Sequence, residues 1–266
     1  MIPLGCTVVP GEAAKAKACG FDYVELSGKA VAAMEDSAFR SLLAELDRAG
    51  IRCRGVNAYC PAEIVIAGNG FDECRTADYA RRLIPRLKQL GAGLVGIGSP
   101  MSRVLPEDYD RALAWKQAVR FYRITAGEMA EAGLRICVEA LATCYCNFLN
   151  RSEEAFRLAE ETGMDNVGVV LDFYNMEHMG EADGLPAGMD VRKMFHAHIS
   201  DDDGSPRRRD FLRPEKAEAH LRRVRGLIRA GYTGGITLET DLPFDRDKAE
   251  KSIHILRKAV QEEGGT

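Results

Sequence analysis

Six times along this chain a stretch of helical character ends in a glycine, and an apolar run follows within a few residues: ACG-FDYVEL, RAG-IRCRGV, QLG-AGLVGI, EAG-LRICVE, ETG-MDNVGVV and RAG-YTGGITL. The glycines are Gly20, Gly50, Gly91, Gly133, Gly163 and Gly231. Glycine tolerates the left-handed turn that closes a helix, so each unit reads as helix, stop, strand. Consecutive stops lie 30, 41, 42 and 30 residues apart, and the last interval of 68 has room for two units, one with an atypical helix. This spacing predicts eight strands, near residues 4–8, 22–28, 52–59, 93–98, 135–140, 167–173, 194–200 and 235–240. Strands alternating with helices build a parallel sheet, and eight such units most simply close into an α/β barrel of the (β/α)8 type, with an open doubly wound sheet as the fallback.

The helices carry the matching period. Phe39, Leu42, Leu43 and Leu46 follow the i, i+3, i+4, i+7 pattern, as do Ala80, Leu83, Ile84 and Leu87, so each helix offers one apolar face to the sheet. Asn150 with Glu153 three residues on reads as a capping box, which leaves residues 141–149 as a loop after the fifth strand. No linker, low-complexity tract or composition break interrupts the 266 residues, so the expectation is one domain over residues 1–266. The first residues, MIPLGCTVVPGE, lack a basic flank and a long apolar core and read as a first strand, which gives the expectation of a cytoplasmic protein. No apolar run reaches the roughly 18 to 20 residues of a membrane span. A net charge of −4 argues against a general nucleic-acid binder. The eight cysteines show no CxxC pair and read as reduced, mostly buried thiols, with Cys144 and Cys146 in the predicted loop.

Four successive predicted strands end in groups that bind cations. ICVE delivers Glu139, VVLD delivers Asp172, MFHAHIS delivers His198 and ITLE delivers Glu239. Barrels of this kind hold their chemistry at the C-terminal ends of the strands, so the four residues are expected to share one rim site. Three carboxylates and one imidazole form a hard, oxygen-rich set that suits one divalent ion, Mn²⁺ first, with Mg²⁺, Co²⁺ or Zn²⁺ as alternatives. Glu25 and Asn57 stand at other strand ends and join the candidates for substrate contact, as does His178 in a loop past the sixth strand. His196 shares strand parity with His198 one layer deeper and reads as a supporting or core residue, whereas His220, His254 and Trp115 lie on predicted helices and read as structural.

These motifs resemble the xylose-isomerase-like TIM barrels, the group that includes ketose 3-epimerases, hydroxypyruvate isomerase, inosose dehydratase and endonuclease IV. The resemblance covers essentially the whole chain and is sharpest in VEAL, NRSEEAFRLAEETG, NVGVVLDFYNM, HAHISDDDG and GYTGGITLETD. It implies that Glu139, Asp172, His198 and Glu239 bind one divalent metal, and that Glu139 and Glu239 also flank a sugar as proton-transfer groups. The departures fall on the substrate side. Ketose 3-epimerases usually carry a His three residues after the metal-binding Asp, where this chain has Asn175, and a substrate-binding Glu where Tyr145 stands. Their Arg six residues after the metal-binding His is here Gly204, although Arg207, Arg208 and Arg209 follow closely. Asn175, Tyr145 and Arg207 are therefore taken as candidate substrate contacts, with the run Arg207 to Arg209 suited to an anionic group.

The resulting expectation is a metal-dependent isomerase or epimerase that moves a proton next to a carbonyl through an enediolate. The partner is a small carbohydrate, with self-association left open. A lyase or dehydratase on a keto-sugar or keto-inositol is the first alternative, because the same enediolate can expel a β-hydroxyl. A catalytically silent sugar-binding barrel is the second. The phosphodiesterase chemistry of endonuclease IV requires additional histidines from early strands, and no histidine precedes His178.

Overall fold

Gly20, Gly50, Gly91 and Gly163 each take up a left-handed conformation directly after a helix, with φ between 61° and 95°, and the chain then turns into a strand. The computed structural model describes residues 2–241 and 243–264. In it the strands β1 (Leu4–Thr7), β2 (Tyr23–Ser27), β3 (Arg52–Asn57), β4 (Leu94–Ile97), β5 (Arg135–Glu139), β6 (Val167–Asp172), β7 (Met194–Ile199) and β10 (Gly235–Leu238) are parallel and close into a barrel in the order β1-β10-β7-β6-β5-β4-β3-β2. Each strand is shorter than its apolar run by one or two residues, because the chain leaves the ladder as it reaches the rim. Two further short strands, β8 (Asp201–Asp202) and β9 (Arg209–Asp210), pair antiparallel beyond the end of β7.

The helices α1 (Ala13–Cys19), α2 (Gly28–Ala33), α3 (Asp36–Ala49), α4 (Glu73–Leu90), α5 (Arg111–Ala130), α6 (Ser152–Thr162), α7 (Phe173–His178), α8 (Ala217–Arg229) and α9 (Arg246–Gly264) lie between and after the strands. Phe39, Leu42 and Leu46 of α3, and Ala80, Leu83 and Leu87 of α4, are buried, while Leu43 and Ile84 flank the core. Each buried leucine contributes about 1.5–3 kcal/mol from area removed from water. Among the described residues no helix is long and apolar enough to cross a membrane.

The atypical unit predicted in the last interval is the one after β6. Its helix, α7, has only six residues and contains His178 as its last, so His178 is not in a loop as the sequence suggested. The capping box also shifts by one. Glu154, not Glu153, accepts from the backbone N–H groups of Arg151 and Asn150 at 3.0 and 2.7 Å. Asn150 instead donates to the carbonyls of Leu141 and Cys146, which ties down both ends of the 141–149 loop. His254 lies on the exposed face of α9, and His220 is buried in α8.

Candidate metal centre

Residue parity divides the barrel interior into layers. Asp172 on β6 is opposite His198 on β7, and Thr237 on β10 is opposite both His198 and Gly5 of β1, which fixes one inward-facing set around the barrel. Near the C-terminal rim this set supplies Glu139, Asp172 and His198, and Glu239 follows directly on β10 with its N–H bonded to Ile199 O. One ligand atom from each of Glu139, Asp172, His198 and Glu239 lies within 4.8 Å of the other three. Two oxygens on opposite sides of one ion bound at about 2.0–2.6 Å stand up to about 5 Å apart, so the four residues fit a single divalent cation. Two polar atoms support that fit. His198 Nδ1 and Glu239 Oε2 are buried, face each other at 3.2 Å, and neither has a hydrogen-bond partner of good geometry.

The supporting contacts hold each ligand in place. Asn175 Nδ2 donates to Asp172 Oδ2 at 2.5 Å and to Glu139 Oε1 at 3.4 Å, while its Oδ1 accepts from Ala142 N. Asn57 Nδ2 donates to Glu239 Oε1 at 2.8 Å. Tyr174 N donates to Asp172 Oδ1. Gly98 on the loop after β4 leaves room for the Glu139 carboxylate, because a Cβ there would collide with Glu139 Oε2. Fully buried Arg103 donates to Glu139 O and secures the backbone at the end of β5.

Below the quartet a second polar layer fills the barrel. Glu25 Oε2 lies 3.0 Å from His198 Nε2, and Glu25 Oε1 lies 2.5 Å from His196 Nε2 and accepts from Thr237 Oγ1 at 2.9 Å. Thr237 Oγ1 in turn lies 2.9 Å from Tyr23 OH. Glu25 is thus placed under His198 and away from the rim cleft, at the position from which a carboxylate orients a metal-binding imidazole.

Charge in this buried volume is strongly coupled. Burial, then the negative charges of Glu239 and Asp172, push Glu139 up to about 8. Burial pushes Asp172 and Glu239 up as well, but the Arg209 guanidinium and His198 together outweigh it and hold both below the ordinary carboxylate range. Glu25 is held well below that range by His196 and His198 despite its burial. Burial disfavours a charged His198, yet Glu239 and Glu25 raise it well above the ordinary imidazole value.

Arg209, which the sequence offered only as one of a run of three arginines, is the one that reaches the cluster. Its Nη2 lies 2.6 Å from Asp172 Oδ2 and 3.8 Å from Glu139 Oε1, its Nη1 lies 3.1 Å from Glu239 Oε2, and its guanidinium stacks over Tyr174 at 4.5 Å. Arg207 is exposed and is not brought to the cluster. The β8–β9 pair explains the difference, because Arg209 lies in β9 and is buried, whereas Arg207 and Arg208 precede that strand and are exposed. Tyr145 is half-buried, with its ring 6.5 Å from that of Tyr174. His178 stacks on Tyr174 at 4.5 Å and lies 3.8 Å from Asp202, beyond the quartet. A cleft of about 510 Å³ opens beside the site, lined by Asn57, Glu239, Ser27, Lys29, Asp241 and Phe244 among others.

Comparison with known proteins agrees with this architecture. Residues 13–259 match the family described as xylose isomerase-like TIM barrel. An inosose isomerase of Halalkalibacterium halodurans is 24% identical over 136 residues, 49% of this chain and 48% of that protein, so the match spans about half of that relative. The structure of D-psicose 3-epimerase from Clostridium cellulolyticum H10 superposes with a TM-score of 0.74 at 16% identity, covering 98% of both chains. That of 3-keto-D-glucoside 4-epimerase from E. coli gives 0.69 at 17% identity over 97% of this chain and 100% of the other. The IOLI protein with a bound zinc atom gives 0.68 at 20% identity over 98% of both. At these identities the structural likenesses establish the fold.

Proposed function

We propose that this chain, which belongs to the xylose isomerase-like TIM barrel family, is a divalent-metal-dependent isomerase or epimerase of a small polyhydroxylated carbonyl compound. The observation that carries the reading is the convergence of Glu139, Asp172, His198 and Glu239 within 4.8 Å of one another beside an open cleft. Inosose isomerase, D-psicose 3-epimerase and 3-keto-D-glucoside 4-epimerase are isomerases and epimerases by name, which supports the reaction class. The oxygen-rich ligand set favours Mn²⁺, with Mg²⁺, Co²⁺ and Zn²⁺ as alternatives, and the zinc atom in the IOLI protein supports a divalent ion.

The cation, when bound, supplies an electrophile for the charge that develops on a carbonyl oxygen as the adjacent C–H is broken. The proton itself is moved by side chains. Glu139 and Glu239 come from non-adjacent strands and converge at the quartet, so one can take a proton from one face of a substrate and the other can return it to the opposite face. Return to the same carbon gives an epimer, and return to the neighbouring carbon an isomer. Asn57 on Glu239 and Asn175 on Glu139 fix the two carboxylates, so that small rotations suffice to reach the reacting carbon. Arg209 can pair with a substrate oxygen that carries negative charge.

The test is solvent exchange. In D₂O with Mn²⁺, a screen of ketoses, keto-inositols and keto-glycosides should yield at least one compound that gains deuterium next to its carbonyl. With that compound, Glu139→Gln and Glu239→Gln should each abolish turnover, losing about 10²-fold or more in rate. Only one of the two should also abolish exchange, with metal content checked in both. Equal, metal-independent exchange by both variants would sink the two-glutamate reading.

A further inference from the structure

At the opposite end of the barrel from the quartet lies a cavity of about 340 Å³, lined by Asp22, Tyr23, Arg52, Arg54, Leu94 and Arg135 among others. Tyr23, Arg52, Leu94 and Arg135 are the first residues of β2, β3, β4 and β5, so the cavity is formed by the strand beginnings. An apolar layer of Leu94, Cys137, Val170 and Phe195 lies next to it within the barrel.

Arg52, Arg54 and Arg135 line this cavity, and none of their guanidinium groups has a carboxylate partner among the described residues. Among the described residues the single carboxylate in the wall, Asp22, is already engaged, with Oδ2 accepting from Leu4 N at 2.8 Å and Oδ1 paired with Arg257 at 3.2 Å. Arg54 lies over the Tyr23 ring at 5.3 Å and Arg135 over the Phe195 ring at 4.8 Å. Stacking of this kind fixes the plane of a guanidinium while leaving its N–H edge free to donate. Arg54 Nε is buried and has no hydrogen-bond partner.

The local backbone departs from a regular ladder where it creates this arrangement. Val24 pairs with Cys53 but Glu25 pairs with Gly55, so Arg54 is an extra residue at a bulge. On the other side of the barrel Val169 pairs with Met194 but Val170 with His196, so Phe195 is the extra residue at a second bulge. Bulges re-aim side chains, and here they supply one cation and the ring that carries another. Glycines clear the space: a Cβ at Gly235 would press on Tyr23 OH and Arg54 Nε, and a Cβ at Gly168 would press on the Phe195 ring.

We propose that this cavity is a second ligand site, which takes a phosphate-type oxyanion, either free or as the phosphoryl group of a small metabolite. Guanidinium groups pair with such oxygens through charge-assisted, bidentate hydrogen bonds. The volume exceeds that of a phosphate ion and leaves room for a short organic body. The site is independent of the reaction assigned to the rim.

Calorimetric titration of the full chain with inorganic phosphate and with glycerol 3-phosphate, at constant ionic strength made up with chloride, tests this. The expected result is saturable binding of one anion per chain, weakened by about tenfold or more in Arg54→Gln and in Arg135→Gln. Tighter binding of the ester identifies a phosphorylated metabolite as the source, and equal binding identifies free phosphate. Arg52 is exposed, so Arg52→Gln provides the same comparison should either of the other variants fail to fold. Absence of binding, or equal affinity in all three variants and the parent chain, overturns the proposal, the latter placing the anion elsewhere, for instance at Arg209.

Discussion

His198 Nε2 lies 3.0 Å from Glu25 Oε2, and this contact decides which edge of the imidazole faces the carboxylates of the rim. With Nε2 held from below, Nδ1 is left pointing at Glu239 Oε2 at 3.2 Å. A carboxylate in that position fixes the ring's tautomer and raises its basicity as a ligand. Glu25→Gln is therefore expected to weaken Mn²⁺ binding by about 10- to 100-fold while the protein still melts cooperatively. Unchanged affinity in a calorimetric titration would show that Glu25 serves only the packing of the barrel interior.

Metal affinity should depend on pH through Glu139. Burial, Glu239 and Asp172 raise this carboxyl from 4.5 to about 8, so in the ion-free protein it holds a proton across the neutral range. A cation must expel that proton, and also the one that the raised His198 carries, so Mn²⁺ affinity should rise by at least about tenfold per pH unit below 8. A carboxyl whose folded pKa is raised favours the folded state while protonated, so the ion-free protein should lose stability as pH rises from 4.5 through about 8, and Mn²⁺ should restore it. Melting curves at several pH values, with and without the ion, measure both effects.

Asp201 anchors the segment that carries Arg209. It accepts from Arg213 N at 2.7 Å and from His220 Nε2 at 2.9 Å, and Lys216 Nζ lies 3.1 Å away. Burial pushes this carboxyl up, but the His220, Arg213 and Lys216 interactions outweigh it and bring it to about 2. A depressed carboxyl contributes stability that is complete above its ordinary value of 3.8 and lost as pH falls through about 2. Asp201→Asn should cost about 1–2 kcal/mol at neutral pH, with the screening at this partly wetted cluster included. The difference between variant and parent in urea unfolding should shrink toward pH 2. A gap that persists there would assign the loss to packing.

The repeat of glycine stops made the barrel legible, because each stop is a local backbone requirement that survives in the sequence. The same holds for Glu139, Asp172, His198 and Glu239, which stand at the ends of strong apolar runs. Arg209 was not legible. Three consecutive arginines look alike in sequence, and only the two-residue strands β8 and β9, too short for any periodic signal, turn the third one inward. The place of Glu25 below His198 was hidden for a different reason, since parity orders the side chains of one strand by depth but does not fix the register between β2 and β7, which are not neighbours in the barrel. The shift of the cap from Asn150 to Arg151 reflects competition, because Asn150 satisfies two loop carbonyls instead.

Diffraction at the manganese absorption edge from crystals grown with Mn²⁺ decides whether Glu139, Asp172, His198 and Glu239 hold one divalent cation. One anomalous peak per chain is expected, within about 2.0–2.6 Å of an oxygen or nitrogen from each of the four residues. The Arg209 guanidinium should then have moved away from Asp172 and Glu239, whose charge the ion takes over. Asp172→Asn should remove the peak and leave the barrel intact. A map without a peak at this position, or with the ion bound instead between Glu25, His196 and His198, would contradict the account.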